Sequence, residues 1–225
     1  TGDGAAAPRY IEARLSKFVE EVLRHPVVAL TGPSHAEEVA RMQPTGCLAA
    51  CADKALAEYV QDAFMADVFR VYTSPDVVGA ELGGALKNVI ALCVGACDGL
   101  GYGDNTKAAL ITRGIAEMSR IGTAMGGRQE TFNGLSGIGD LIVTCASVHS
   151  RNRRAGYLMG QGRTMREAMN EVKMVVEGVY SAKAAVALAR KYNIEIPIIE
   201  QVNKVLFEDK SPKEAVTELM LRDKK

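Results

Sequence analysis

One run constrains this chain more than any other. It is Leu82-Gly-Gly-Ala-Leu-Lys-Asn-Val-Ile-Ala-Leu-Cys-Val-Gly-Ala-Cys97, and Lys87 is the only charged side chain between Glu81 and Asp98. The run is too short and too polar at its centre to span a bilayer, so it reads as a buried helix of a soluble domain. An ammonium carried into such a helix loses hydration, and burial favours its neutral form. A lysine that can hold or release a proton near neutral pH suits alcohol/carbonyl chemistry. A snorkelling or salt-bridged structural lysine is the plain alternative. Gly83, Ala91 and Gly95 recur every four residues around Lys87, so its helix face admits close approach by another helix or by a ligand.

The surrounding sequence has two textures. Up to Ser74-Pro75, helical and strand patterns alternate: helix from Tyr10 to Leu23, strand from Val27 to Thr31, strand from Gly46 to Ala52, helix from Lys54 to Met65, strand from Val68 to Thr73. That alternation predicts a parallel or mixed sheet of which these strands form one edge. After Pro75 nearly everything reads as helix. Ser74 suits an N-cap with Pro75 in the first turn, Thr164/Glu167 and Ser211/Glu214 are capping boxes, and Asn193 closes a helix that holds Val175 to Tyr192. The fold class expected is an α/β edge, the C-terminal part of a larger α/β domain (1–74), followed by an all-α domain (75–225).

Charge and cysteine content narrow the function. Lys+Arg and Asp+Glu balance at 27 each and Trp is absent, which argues against nucleic acid and against an anionic membrane as partners. The five cysteines (47, 51, 93, 97, 145) form no regular framework and read as reduced, buried thiols of a cytoplasmic protein. Cys47/Cys51 and Cys93/Cys97 lack companion histidines, so no metal site is expected. Thr1-Gly-Asp-Gly-Ala-Ala-Ala shows no signal core and looks like the cut end of a longer chain.

Three segments carry candidate chemistry. Thr31-Gly-Pro-Ser34-His-Ala-Glu37 follows a strand and opens a helix, with Ser34/Glu37 as a capping box and Gly32 allowing the backbone close to a ligand. Asn133-Gly-Leu-Ser-Gly-Ile-Gly-Asp140-Leu-Ile-Val-Thr144 places one carboxylate in an apolar stretch, where Lys87 is its natural charge partner. If helix starts at Asp140, Thr144 lies one turn on along the same face. Gly137-Ile-Gly139 lacks a preceding strand and a correctly spaced third glycine, so it is not a dinucleotide fingerprint. Ser150-Arg151-Asn152-Arg153-Arg154 combines a helix cap, free N–H groups and guanidinium groups into an anion site suited to one phosphate, or else it is a solvated basic turn.

Together, Gly-Pro-Ser-His-Ala-Glu-Glu, Glu-Leu-Gly-Gly-Ala-Leu-Lys-Asn, Gly-Leu-Gly-Tyr-Gly-Asp-Asn, Gly-Leu-Ser-Gly-Ile-Gly-Asp-Leu, Ser-Arg-Asn-Arg-Arg and Val-Val-Glu-Gly resemble the bacterial-type NAD(P)-dependent glycerol-3-phosphate dehydrogenases from about Val27 onward. The resemblance implies hydride transfer between NAD(P)H and dihydroxyacetone phosphate, giving sn-glycerol 3-phosphate for glycerophospholipid synthesis. It assigns Lys87 as proton donor/acceptor and Asp140 as its orienting partner. It gives substrate contacts to Gly32, Ser34, Asn88, Thr144, Ser150, Arg151 and Asn152, and cofactor contacts to Ala36, Arg151, Val175 and Glu177. A homodimer formed through the helical domain is also implied, with NAD or NADP as cofactor. Position 35 usually carries Phe in this motif; His35 stands there instead.

Two family features have no counterpart in the chain. They are the glycine-rich βα turn that binds the pyrophosphate and a second substrate lysine upstream of Gly32. Thr1 to Val27 matches neither, and Lys17 stands in the wrong context. The isolated chain is therefore expected to bind NAD(P)H no better than roughly millimolar. The alternatives are a related hydroxyacid dehydrogenase, which the Ser-Arg-Asn phosphate site disfavours, or a non-catalytic helical assembly module.

Overall fold

The computed structural model describes residues 15–223. Helix α1 (Leu15–Leu23) is the described part of the first expected helix; Tyr10 to Arg14 lie outside the described residues. Strands β1 (Ala29–Thr31), β2 (Thr45–Ala50) and β3 (Phe69–Ser74) form a mixed sheet in the order β1-β2-β3. β1 runs antiparallel to β2, and β2 parallel to β3 with Thr45 opposite Phe69. The short helix α2 (Ala36–Val39) and helix α3 (Lys54–Phe64) connect the strands. Cys47, Ala49, Ala50 and Val71 are buried, and since Ala49 and Ala50 point to opposite faces, both sides of β2 are covered.

The remainder is helical, as the sequence predicts. Helices α4 (Val77–Gly99), α5 (Asp104–Ala124) and α6 (Gln129–Phe132) lead to a π-helix at Leu135–Gly139. It runs directly into α7 (Asp140–Ala146), and α8 (Arg151–Gly160), α9 (Met165–Val172), α10 (Glu177–Tyr192), α11 (Pro197–Phe207) and α12 (Pro212–Met220) follow. α4 has the length and hydropathy of a membrane span, yet it is the central core helix. Leu86, Val89, Ile90, Ala91 and Val94 are each 0% exposed.

The small-residue face of α4 is used by a helix. A Cβ on Gly95 would lie 2.0 Å from the Arg153 carbonyl oxygen, and one on Gly99 would lie 2.2 Å from that of Tyr157. From the other side, Cβ atoms on Gly156 and Gly160 would lie 2.0 Å and 2.2 Å from the carbonyl oxygens of Leu92 and Ala96. α4 and α8 thus cross backbone to backbone. Gly83 makes the same approach to the π-helix, where a Cβ would lie 2.2 Å from the Ser136 carbonyl oxygen.

Caps test the local readings one by one. The Thr164/Glu167 and Ser211/Glu214 boxes both form, and Asn193 ends α10 in the left-handed conformation. Two expectations fail. Asp76, not Ser74, caps α4, accepting the Gly79 N–H at 2.9 Å; a carboxylate offers a stronger acceptor than the hydroxyl, which instead receives the Asp76 N–H. α10 begins at Glu177, so Val175 lies in the loop before it.

Helix α11 has no side-chain cap of its own, because Ile196 and Pro197 open it. Glu117 of α5 supplies the acceptors, taking the N–H groups of Ile198 and Ile199 at 2.9 and 3.1 Å. Burial pushes this carboxyl from its ordinary 4.5 up to about 7, against the pull of those two bonds. Between those values the folded protein holds a proton that the unfolded chain has lost. Stability from this group is therefore complete below about pH 4.5 and declines as pH rises to about 7, by roughly 3 kcal/mol.

Two predictions follow from this packing. In Glu117→Gln the wild-type-minus-variant difference in denaturation free energy should fall across about pH 4.5–7 and level off above; a constant offset at every pH refutes the titration. Gly95→Ala should lower stability by about 1–3 kcal/mol or more through overpacking. Gly84→Ala, on the same helix with nothing within 4 Å of its Cβ position, should raise it by about 0.5–1 kcal/mol. Urea unfolding of both variants checks the opposite signs.

Candidate active site

Lys87 and Asn88 are neighbours on α4, and each anchors one half of a polar chain. The Lys87 ammonium lies 2.5 Å from Asp140 Oδ2. Asp140 is the first residue of α7, placed there by the π-helix, whose Gly139 N–H reaches back five residues to the Gly134 carbonyl at 3.1 Å. Thr144, one turn on, donates to the Asp140 backbone oxygen at 2.6 Å and lies 3.3 Å from Oδ1. Burial pushes the Asp140 carboxyl above its ordinary range, opposed by Lys87, Thr144 and His35.

The second half runs from Asn88 to the start of α8. Asn152 donates to Asn88 Oδ1 at 2.9 Å and accepts the Gly178 N–H at 2.8 Å through Oδ1. Its amide nitrogen also stands 3.5 Å from Glu177 Oε2. Arg151 meets Glu177 at 2.7 Å. Ser150 caps α8 by accepting the Arg153 N–H. Lys87, Asn88, Asp140, Thr144, Ser150, Arg151, Asn152 and Glu177 therefore belong to two linked clusters joined across adjacent residues of α4.

Other expected residues stand differently. Arg153 leaves the anion site: it holds Asp98 at the end of α4 through two bonds, at 2.6 and 3.0 Å, with Lys107 adding a third contact. The Ser34/Glu37 capping box does not form. His35 occupies the N-cap position of α2, and the exposed Ser34 hydroxyl turns back to the Gly32 carbonyl at 3.2 Å. A Cβ on Gly32, which has a φ of +137°, would lie 3.2 Å from the Cys47 Cα and the Gly46 carbonyl oxygen, so the close approach is to β2. Ala36 and Val175 are exposed. The five cysteines are free, burial pushes Cys145 up to about 12, and no metal-ligating cluster occurs among the described residues.

The structure adds contacts that motif reading did not reach. Thr31 at the end of β1 bonds Ser136 of the π-helix at 2.5 Å, tying the Gly-Pro-Ser-His loop to the Asp140 segment. A cavity of about 590 Å³ opens beside this junction, lined by Thr31, Glu81, Gly84, Asn88, Glu177 and Ser181 among others. Glu81 accepts the Ser16 N–H at 2.6 Å through Oε1, while its Oε2 is buried without a partner among the described residues. Its signal in the sequence was weak, since a glutamate bordering an apolar helix is commonplace.

Comparison with known proteins fixes the family. The C-terminal model of the NAD-dependent glycerol-3-phosphate dehydrogenases matches residues 76–217, and their N-terminal model matches residues 9–57. This chain belongs to that family. The match extends toward the N-terminus beyond Val27, where the recognisable motifs begin. Glycerol-3-phosphate dehydrogenase [NAD(P)+] of Agathobacter rectalis is 69% identical over 88% of the chain and 59% of its own length. The Fusobacterium nucleatum enzyme of the same name is 65% identical over 94% of the chain and 64% of its own length. The chain thus spans about three-fifths of these curated relatives. The crystal structure of the Coxiella burnetii glycerol-3-phosphate dehydrogenase superposes with a TM-score of 0.86 at 36% identity, over 97% of the chain and 74% of that structure. That likeness also supports the family's architecture of a small sheet followed by helices.

Proposed function

We propose that this protein carries the substrate side of an NAD(P)-dependent glycerol-3-phosphate dehydrogenase, reducing dihydroxyacetone phosphate to sn-glycerol 3-phosphate and reversing that reaction. One observation carries the reading: an ammonium held by a buried carboxylate (Lys87–Asp140) adjoins, through Asn88 and Asn152, an arginine in the first turn of α8. A carbonyl-reducing site for a phosphorylated three-carbon substrate needs a proton donor at one end and an anion site at the other. The close relatives bear that activity as their name.

Each residue has a physical task in this reading. Lys87 donates a proton to the carbonyl oxygen of the substrate, and in reverse it withdraws the hydroxyl proton. Asp140 and Thr144 hold the ammonium in place. The N-terminus of α8 and Arg151 take the phosphate dianion, which the helix dipole and a guanidinium both favour. Asn88 and Asn152 keep the two ends in register, and Gly32 and Ser34 line the substrate side. Bound NAD or NADP supplies the hydride.

The residues of the large cavity fit the nicotinamide end. Glu81 Oε2, buried without a partner among the described residues, is an acceptor of the kind a carboxamide N–H requires. Glu177 lines the cavity and pairs with Arg151, and this reading assigns Val175 and Ala36 to the cofactor as well. In this reading residues 1–74 close a dinucleotide-binding domain and 75–225 form the substrate and dimerisation domain. The exposed Met220 and Leu221 at the end of α12 offer apolar surface for a homodimer, and the setting is cytoplasmic.

In a full-length protein that includes the pyrophosphate-binding turn, Lys87→Met should lower turnover of dihydroxyacetone phosphate with NADH by at least ~10²-fold, the usual range for an acid/base group. Turnover close to wild type ends the assignment. Arg151→Ala should weaken binding of dihydroxyacetone phosphate by roughly 2–3 kcal/mol and leave dihydroxyacetone nearly unchanged. Equal losses for the two compounds place Arg151 elsewhere.

A further inference from the structure

Two of the three histidines in the chain meet beside the anion site, and nothing above uses them. His35 stands at the N-cap of α2 but caps with its backbone, since its carbonyl takes the N–H groups of Glu38 and Val39 at 3.0 Å each. Its imidazole is left over. Nε2 is buried and has no hydrogen-bond partner among the described residues. The ring lies edge-on to that of His149, with centroids 6.4 Å apart at 61°, and it is near enough to Asp140 to act on its charge.

His149 comes from the opposite direction. It is exposed and immediately precedes Ser150, the N-cap of α8. Its loop is pinned by two contacts to Ser147: the His149 N–H donates to the Ser147 hydroxyl at 3.1 Å, and the Ser150 N–H to the Ser147 carbonyl at 3.3 Å. Contact with His35 on one side and chain continuity with Ser150 and Arg151 on the other set His149 between the Asp140 end and the phosphate end of the site.

We propose that His149 is a further substrate-binding residue, whose imidazole N–H donates to the phosphate group, and that His35 is the positioning residue that holds the His149 ring there. This rests on reading the α8 N-terminus as the phosphate site. Toward His149, His35 acts by shape: its Nε2 has no hydrogen-bond partner among the described residues, so the face and edge of the ring are what His149 rests on. An aromatic ring of any polarity fills that role. His149 is the chemically active partner, because it is the exposed residue of the two, while His35 is half-buried with its Nε2 sealed from water.

The test is calorimetric titration of the protein with sn-glycerol 3-phosphate, using wild type, His149→Ala, His35→Ala, His35→Phe and Arg151→Ala. Loss of one hydrogen bond to a charged group should make His149→Ala bind roughly ten- to thirtyfold more weakly. His35→Ala should approach that loss, whereas His35→Phe should stay within about twofold of wild type. A second readout is the NMR signal of the His149 ring Cε1–H, which should move on adding the ligand and stay still on adding dihydroxyacetone. If Arg151→Ala weakens binding but His149→Ala does not, the phosphate site stands and the His149 assignment is overturned. If His35→Phe loses as much as His35→Ala, positioning by ring shape is overturned. If wild type shows no saturable binding, the phosphate site and the proposal fall together.

Discussion

The α4–α8 crossing is the contact on which the site depends. Two helices normally keep 8–10 Å between axes because side chains intervene. Here Gly95 and Gly99 of one helix and Gly156 and Gly160 of the other put backbone against backbone. Only at that range can short amides such as Asn88 and Asn152 meet across the gap at 2.9 Å. Longer side chains could bridge a wider gap, but with more rotatable bonds and less definition. The glycines therefore exchange helix propensity, worth about 1 kcal/mol each, for a fixed distance between the base of the lysine and the start of α8.

Buried charges divide the labour around this crossing. Asp98 at the far end of α4 takes Arg153 and Lys107, which gives both cations a buried counter-charge and fixes the rotation of α8 about its axis. With Arg153 turned toward Asp98, Arg151 lies on a different face and reaches Glu177. Asp76 does the same at the near end, where its two oxygens accept N–H groups of Gly79 and Arg128 and the Thr131 hydroxyl. Lys87–Asp140 sits between these two pinned ends. A charged pair with so little access to water is costly unless its geometry is held, and the rigid frame holds it.

Much of this was legible in the residues. Strands and helices emerged from period and from caps, and Lys87–Asp140 emerged because lone charges in apolar segments must find each other. The Thr164 and Ser211 boxes formed where side-chain and backbone demands agreed. Legibility failed where a distant element won the competition. Ser34 met the local rule for a cap, yet α2 is only four residues long and the hydroxyl folded back on Gly32. Glu117 caps a helix 81 residues away, a pairing that no local rule contains. Arg151 and Arg153 look equivalent in a basic run, and only the position of Asp98 separates them. The small-residue stripe left helix and ligand as equal possibilities, because periodicity gives a face and not its occupant.

The π-helix before Asp140 has a consequence for how this site can change over time. An extra residue in the turn at 135–139 rotates everything after it by about 100° relative to a continuous α-helix. Asp140 reaches Lys87 because of that offset, so the chemistry here depends on a count as well as on identities. Substitutions at Leu135 or Ile138 leave the count alone and can be explored one at a time. Loss of a single residue from the turn turns the carboxylate away from the ammonium at one stroke, with every side chain still present. Length, in these five residues, is an inherited trait as tightly bound to the Lys87–Asp140 pair as the lysine itself.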